Sequence, residues 1–264
     1  MANKHGDFIW YELLTSDVQA AQHFYGKVLG WRFADSGQPT VDYRIAQANG
    51  EGVAGLMQIT DEMRAGGARP IWLGYILVDD VDAAIERLVA SGGAVHMAAM
   101  DMPDVGRIAM VADAQGAPFY LMRPIPPATG AGKESRAFAL TEPLVGHCAW
   151  NELASADPDA AIAFYTALCG WRQEGEMDMG PMGKYRFFYH GPTMIGAVMP
   201  KPELMPVSMW SFYHRVADID DALAAIRAGG GQVIVEPQEI PGGDYALNAI
   251  DPQGAPFGLV GKRR

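Results

Sequence analysis

The sequence predicts an α+β fold written twice in one chain, and three observations carry that prediction. Trp10, Glu12, Leu13, Asp17, Ala21, Phe24, Tyr25, Gly30 and Trp31 recur 140 positions later as Trp150, Glu152, Leu153, Asp157, Ala161, Phe164, Tyr165, Gly170 and Trp171. Trp72, Tyr75, Val78, Asp80 and Asp82 return at an offset of 138 as Trp210, Tyr213, Val216, Asp218 and Asp220, as does the pentapeptide QGAPF of residues 115–119 at 253–257. Within each copy, strand-like alternation is interleaved with two helix-like stretches. A repeat this long signals two copies of one folding unit.

The elements follow in order. Residues 8–14 alternate and contain aromatics, which predicts a strand. Asp17 caps a helix whose inward stripe is Ala21, Phe24 and Val28, and Gly30 ends it. In the second copy Asp157 is the cap and Pro158 fills the first helical position, where a missing N–H costs nothing. Strands are expected over 43–48, 53–59 and 71–78. Asp80 caps a second helix with Val81, Ala84, Ile85 and Leu88 inward and Gly92-Gly93 as its stop. Strands over 94–97, 107–112 and 118–123 complete the copy. Its counterpart repeats the order, with Ile219, Ala222, Leu223 and Ile226 on the second helix. Residues 124–143 are rich in Pro, Ala and Gly without apolar periodicity and read as a linker, so the expected division is 1–123, 124–143 and 144–264.

Composition excludes several function classes. The chain has 264 residues, 49% of them apolar, and a formal net charge of −11. That charge disfavours nucleic-acid binding, which needs a basic surface. No run of about 18 apolar residues is present, so no membrane span is expected, and MANKHGDF has no apolar signal segment. Cys148 and Cys169 read as small core residues of a reducing compartment. The expectation is a cytoplasmic protein, monomeric or homodimeric, with a small-molecule ligand or substrate as its partner.

The opening "SD…FY…LGW", the "VDDVDAAIERLVASGG" segment and the closing "DAQGAPF" and "DPQGAPF" resemble the vicinal oxygen chelate superfamily, which includes glyoxalase I, extradiol dioxygenases and bleomycin-resistance proteins. The resemblance covers the chain outside linker and termini and is nearest to a tandem glyoxalase-like subgroup. It implies paired βαβββ modules whose mixed sheets, helices outside, curl into a ligand-holding cup. It also implies metal ligands (His, Glu or Gln) on the first strand, the strand before the second helix and the last strand of each copy. Counted from Asp17, Asp80 and the QGAPF motif, those positions carry Trp10, Leu73 and Tyr120, and in the second copy Trp150, Ser211 and Gly258. Indole, leucine and glycine offer no lone pair to an ion. No metal site and no cofactor are therefore expected.

Glu12 and Glu152 lie two residues after Trp10 and Trp150 and so share their side of the strand. A carboxylate facing an aromatic cavity suits a general base, because desolvation raises its pKa. The competing role is structural, each Glu accepting from Arg44, Arg186, Tyr75 or Tyr213. Trp10, Trp150, Tyr75, Tyr213 and Tyr120 are expected to line the cup, with Met57 and Met199 on strands able to join them. Such a lining suits a planar or apolar ligand. The histidines show no metal-ligand spacing, and His214 falls on the helix-facing side of its strand. No phosphate loop or nucleophile elbow is present.

The sequence thus points to a glyoxalase-like protein binding a small planar or carbonyl-containing molecule without the usual metal. It would act by sequestration or as an enzyme with Glu12 or Glu152 as base. The alternative is a metal-dependent lyase, isomerase or dioxygenase with displaced ligands for zinc, iron, nickel or manganese. A third reading is a protein-interaction module that has lost its pocket.

Overall fold

The computed structural model describes residues 3–37, 41–125, 134–139, 143–203 and 205–264. The first copy comprises β1 (Phe8–Thr15), α1 (Val18–Leu29), β2 (Arg32–Asp35), β3 (Tyr43–Ala48), β4 (Glu51–Gln58), α2 (Asp61–Ala65), β5 (Ile71–Leu77), α3 (Val81–Ala90), β6 (Ala94–Met102), β7 (Gly106–Ala112) and β8 (Pro118–Pro124). The second comprises β9 (Cys148–Ser155), α4 (Pro158–Cys169), β10 (Arg172–Asp178), β11 (Lys184–His190), β12 (Thr193–Pro200), β13 (Met209–Val216), α5 (Ile219–Ala228), β14 (Gln232–Ile240), β15 (Asp244–Ile250) and β16 (Pro256–Gly261). The sequence pattern did not anticipate α2. It is five residues long, buries none of them and rests on its Thr60 cap, so it leaves no apolar period to read.

Each copy forms one eight-stranded mixed sheet, in the orders β2-β3-β4-β1-β5-β8-β7-β6 and β10-β11-β12-β9-β13-β16-β15-β14. β1 runs parallel to β4 and β5 parallel to β8, while β2-β3-β4 and β6-β7-β8 are antiparallel. A helix after β1 and another after β5 supply the chain reversals that parallel pairs need. This is the expected α+β architecture of tandem βαβββ modules.

Four aspartates start the long helices. Asp17, Asp80 and Asp157 accept from Ala20, Ala83 and Ala160 N–H at 2.9, 3.0 and 3.0 Å. Asp218 accepts from Asp220 and Asp221 at 2.9 and 3.0 Å. Each satisfies donors that the first turn leaves open. Gly30 and Gly170 end α1 and α4 at φ 70° and 69°, a conformation glycine adopts without a Cβ penalty. The inward stripes are narrower than expected: Ile85 and Leu223 are only half-buried.

The chain packs as two compact units, each taking half of each copy. Unit 1 is Met1–Ile9, Gly74–Ser135 and Asn151–Trp210, and unit 2 is Trp10–Leu73, Arg136–Trp150 and Ser211–Arg264. In unit 1, α3 packs on α4; in unit 2, α1 packs on α5. Each unit buries the same hydrogen-bonded chain. In unit 2 the Trp72 indole donates to the Tyr25 hydroxyl (2.9 Å), which donates to Asp251 Oδ2 (3.0 Å), while Asp251 Oδ1 accepts from Gln253 and Ala255 N–H, both at 2.9 Å. In unit 1 the corresponding chain is Trp210 to Tyr165 (2.9 Å) to Asp113 (3.2 Å), whose Oδ1 accepts from Gln115 and Ala117 N–H at 2.9 Å. Burial raises both aspartates above the usual carboxylate range, against the pull of those N–H groups. The aspartates of "DAQGAPF" and "DPQGAPF" therefore anchor the core. Trp31 and Trp171 stack on Tyr25 and Tyr165 and donate to the Gly146 and Gly6 carbonyls at 2.7 and 2.8 Å.

Candidate functional site

Strand parity decides what faces where. In unit 2, Tyr11 packs at a tilt on Phe212 and edgewise on His214, and His214 lies against Trp31 and Trp72, so these residues stand on the helix side. Trp10 and Glu12 therefore stand on the opposite side of β1. The register carries that side across the sheet: Glu12 is paired with Gly55 and Leu14 with Met57, Gly55 with Ile45 and Met57 with Tyr43. The facing of Met57, open from sequence, is thereby resolved onto the side of Glu12. The Trp10 indole donates to the Tyr43 hydroxyl at 2.9 Å. A Cβ on Gly55 would fall 1.9 Å from that hydroxyl and one on Gly52 would fall 3.3 Å from the Trp10 ring. Both glycines clear space for the aromatic pair. Glu12 is buried at 3% exposure.

The duplicate face is in unit 1. Glu152 is paired with Ala197 and Ala154 with Met199, which puts Met199 on the side of Glu152, and Ala197 faces Phe187. The Tyr185 hydroxyl donates to Glu152 Oε2 at 2.6 Å. Trp150 is half-buried and belongs to unit 2. Sequence reasoning missed Tyr43 and Tyr185. Their signal was present: Tyr43-Arg44 recurs as Tyr185-Arg186, and Met57 as Met199, at an offset of 142. Two expected partners of the glutamates are corrected. The Arg44 guanidinium is held by Asp42 and Asp35, and that of Arg186 by Asp159, because aspartates nearby in the fold reach them first.

The remaining expected lining residues split in the same way. In unit 1, Tyr75 and Tyr120 are register partners whose rings stack at 4.2 Å and 16°. In unit 2, Tyr213 is paired with Gly258 and lies over it, and its hydroxyl accepts from Asn248 Nδ2 at 2.9 Å. A Cβ on Gly258 would fall 2.5 Å from the Tyr213 ring. We expect Gly258→Ala to displace that ring and cost about 1 kcal/mol, read as a lower denaturant midpoint with loss of near-ultraviolet tyrosine dichroism. An unchanged spectrum would contradict this placement.

The residues do not fit the family's metal. Among the described residues no group of three His, Cys, Asp or Glu side chains could hold an ion. The six positions where the resemblance implies ligands carry Trp10, Leu73, Tyr120, Trp150, Ser211 and Gly258. His214 is 1% exposed and burial lowers its pKa to about 3. His147 is also buried, with Nδ1 at 2.6 Å from the Arg136 carbonyl. Both cysteines are buried; burial pushes the Cys148 thiol up to about 12 and raises Cys169 further, so neither is poised as a nucleophile. Among the described residues no helix is long and apolar enough to cross a membrane.

Comparisons with known proteins agree with the fold. A family model described as Glyoxalase/Bleomycin resistance protein/Dioxygenase superfamily matches residues 8–120 and 144–259. The chain is 36% identical over 254 residues to "Putative glyoxylase CFP32" of Mycobacterium tuberculosis (strain CDC 1551 / Oshkosh), covering 95% of this chain and 93% of that protein. It is 30% identical over 272 residues to "Anthracycline biosynthesis protein DnrV" of Streptomyces peucetius, covering 95% and 91%. Among solved structures it resembles 2,2',3-trihydroxybiphenyl 1,2-dioxygenase from dibenzofuran-degrading Sphingomonas wittichii strain RW1, with a TM-score of 0.68, 13% identity and coverage of 98% and 91%. It also resembles the Mn(II)-bound glyoxalase from Novosphingobium aromaticivorans, with a TM-score of 0.64, 18% identity and coverage of 99% and 83%. At those identities the likeness is one of fold.

Proposed function

The chain belongs to the Glyoxalase/Bleomycin resistance protein/Dioxygenase superfamily, and we propose that within it this protein binds a small planar or carbonyl-containing molecule without the usual metal. We read the modules as 1–123 and 144–264, joined by 124–143. The observation that carries the reading is the duplicated Trp-x-Glu: Trp10 is bonded to Tyr43, and Glu152 to Tyr185, at 2.9 and 2.6 Å. A phenol beside a carboxylate or an indole gives an apolar surface with directional polar atoms, which suits a flat ligand with a polar edge. The name of the Streptomyces relative, an anthracycline biosynthesis protein, is in keeping with a planar ligand.

If the protein is an enzyme, Glu12 or Glu152 takes a proton from carbon beside the carbonyl, and Tyr43, whose hydroxyl accepts from Trp10, hydrogen-bonds the oxygen on which charge develops. The second reading, a metal-dependent enzyme, is favoured by the likeness to the manganese-bound glyoxalase. Metal analysis of protein purified without chelators separates the two. We expect less than about 0.1 equivalent of zinc, iron, nickel or manganese, and near-stoichiometric metal would overturn the metal-free reading. A thermal-shift screen of planar and carbonyl compounds tests binding, since a molecule that binds only the folded state raises its melting temperature. With a turned-over hit in hand, Glu12→Gln and Glu152→Gln test the base. At least one should lose about 100-fold in kcat, and unchanged turnover in both rejects that role.

A further inference from the structure

The two copies present different chemistry on the sheet side away from their second helices. In unit 1 the register aligns Met97, Met110, Tyr120 and Tyr75 in one row across β6, β7, β8 and β5. The row beside it is Met100, Ile108, Met122 and Leu77. The intervening residues point to α3: Ala109, Val111, Phe119 and Leu121 are fully buried, and Arg107 reaches Asp82 on that helix. The two rows therefore carry four thioethers and a stacked tyrosine pair with no charged side chain. The methionines are open, with Met97, Met110 and Met122 half-buried and Met100 47% exposed, while Tyr75, Tyr120 and Ile108 beside them are buried at 7%, 4% and 5%.

The duplicate rows, in unit 2, are Val235, Asn248, Gly258 and Tyr213, then Gln238, Ala246, Val260 and Arg215. Asn248 replaces Met110 and Gly258 replaces Tyr120. Tyr213 has dropped onto Gly258 and is held there by Asn248. Arg215, on this same side, is paired with Asp244 at 2.9 Å. A flat uncharged molecule would meet a polar, charged surface here, and a soft apolar one on the first copy.

Resting on the ligand-binding reading above, we propose that the first copy's β5–β8 face, and not its duplicate, binds an uncharged planar aromatic molecule, laid against the thioethers of Met97, Met110 and Met122, with the buried Tyr75–Tyr120 pair as the rigid wall beside them. Polarisable sulfur makes favourable contacts with aromatic rings, often at their edges. A face without charge makes no ion pair and desolvates none, so it selects a neutral ring over an anionic one.

The probe is 2-(hydroxymethyl)anthraquinone with the full chain, its affinity read by quenching of protein fluorescence. Hydrogen peroxide then reports on the face: it transfers one oxygen to each accessible thioether, giving sulfoxide and water, located by peptide mass spectrometry. Saturating probe should slow oxidation of Met97, Met110 and Met122 severalfold. Exposed Met182 and Met194, at 51% and 38%, should oxidise at unchanged rates. Met110→Asn, the residue of the second copy, should weaken the probe about tenfold, and Asn248→Ala should leave it within about twofold. Should Met110→Asn not fold, the footprint on the natural chain decides. A probe that binds without protecting these methionines, and is lost in Trp10→Ala or Trp150→Ala, overturns this inference while the ligand-binding reading stands. So does a probe that fails where non-aromatic carbonyl compounds raise the melting temperature. If nothing in either class binds, both readings fall.

Discussion

Tyr25→Phe should lower the stability of the chain by about 2–4 kcal/mol, although it removes a single oxygen. The Tyr25 hydroxyl receives the Trp72 indole N–H and donates to Asp251 Oδ2. Tyr25 is fully buried, Trp72 is 2% exposed and Asp251 is 3% exposed. Phenylalanine fills the same space, so the loss is not one of packing. It strands a buried donor on one side and a carboxylate oxygen on the other, and each stranded group costs about 1–3 kcal/mol. Tyr165→Phe should behave alike, since the chain from Trp210 to Asp113 repeats the arrangement. The measurement is denaturant unfolding by circular dichroism: the midpoint should fall while the slope stays constant. A loss under about 0.5 kcal/mol in both variants would mean that the two chains are not the anchors described.

Acid should destabilise the natural chain through His214, and His214→Phe should remove much of that sensitivity. Burial, helped by nearby His147, lowers the His214 pKa from 6.5 to about 3. The histidine thus stays neutral in the folded chain over a range in which the unfolded chain protonates it. The unfolded state binds the extra proton, so stability is full above pH 6.5 and is lost as pH falls toward 3. The loss is on the order of 1 kcal/mol per pH unit within that window and several kcal/mol in all. Neither ring nitrogen has a hydrogen-bond partner among the described residues, and the ring lies among Trp31, Trp72 and Tyr11, so a phenyl ring suits the site. Chemical-denaturation stability measured from pH 7 to pH 4 should fall more steeply for the natural chain than for His214→Phe. Parallel slopes would refute the assignment. Asp113 and Asp251 act in the opposite sense. Burial raises their pKa, so their contribution is complete below the unfolded carboxylate value and declines as pH rises through the folded one. His214 therefore governs the acid side.

Much of the fold was legible. Asp17, Asp80, Asp157 and Asp218 announced four helix starts, because capping is a local exchange between one side chain and the next turn. Trp10 and Glu12 could be assigned to one side of β1, because strand parity needs only counting. The short α2 could not be read, having no buried face. The candidate site was half legible. Trp-x-Glu was visible as a repeat, and Tyr43 and Tyr185 could have been found by the same comparison. Met97, Met110 and Met122 could not, since the repeat had erased them: the second copy carries Asn248 and Val260 where Met110 and Met122 stand. Only the register of β6, β7 and β8 puts them in line with Tyr120.

What the sequence determined by itself was that the opening, middle and closing motifs exist twice, in which order, and that Trp10 with Glu12, like Trp150 with Glu152, share one side of their strand, since all three follow from spacing along the chain. What only the tertiary structure decided was which copy answers which. Tyr25 and Tyr165 each had two aspartates of the same motif to choose from. Tyr25 bonds to Asp251, not to Asp113 of its own copy, and Tyr165 bonds to Asp113. Local spacing is identical for both choices, and only the packing of α1 on α5 and of α3 on α4 brings one partner within reach.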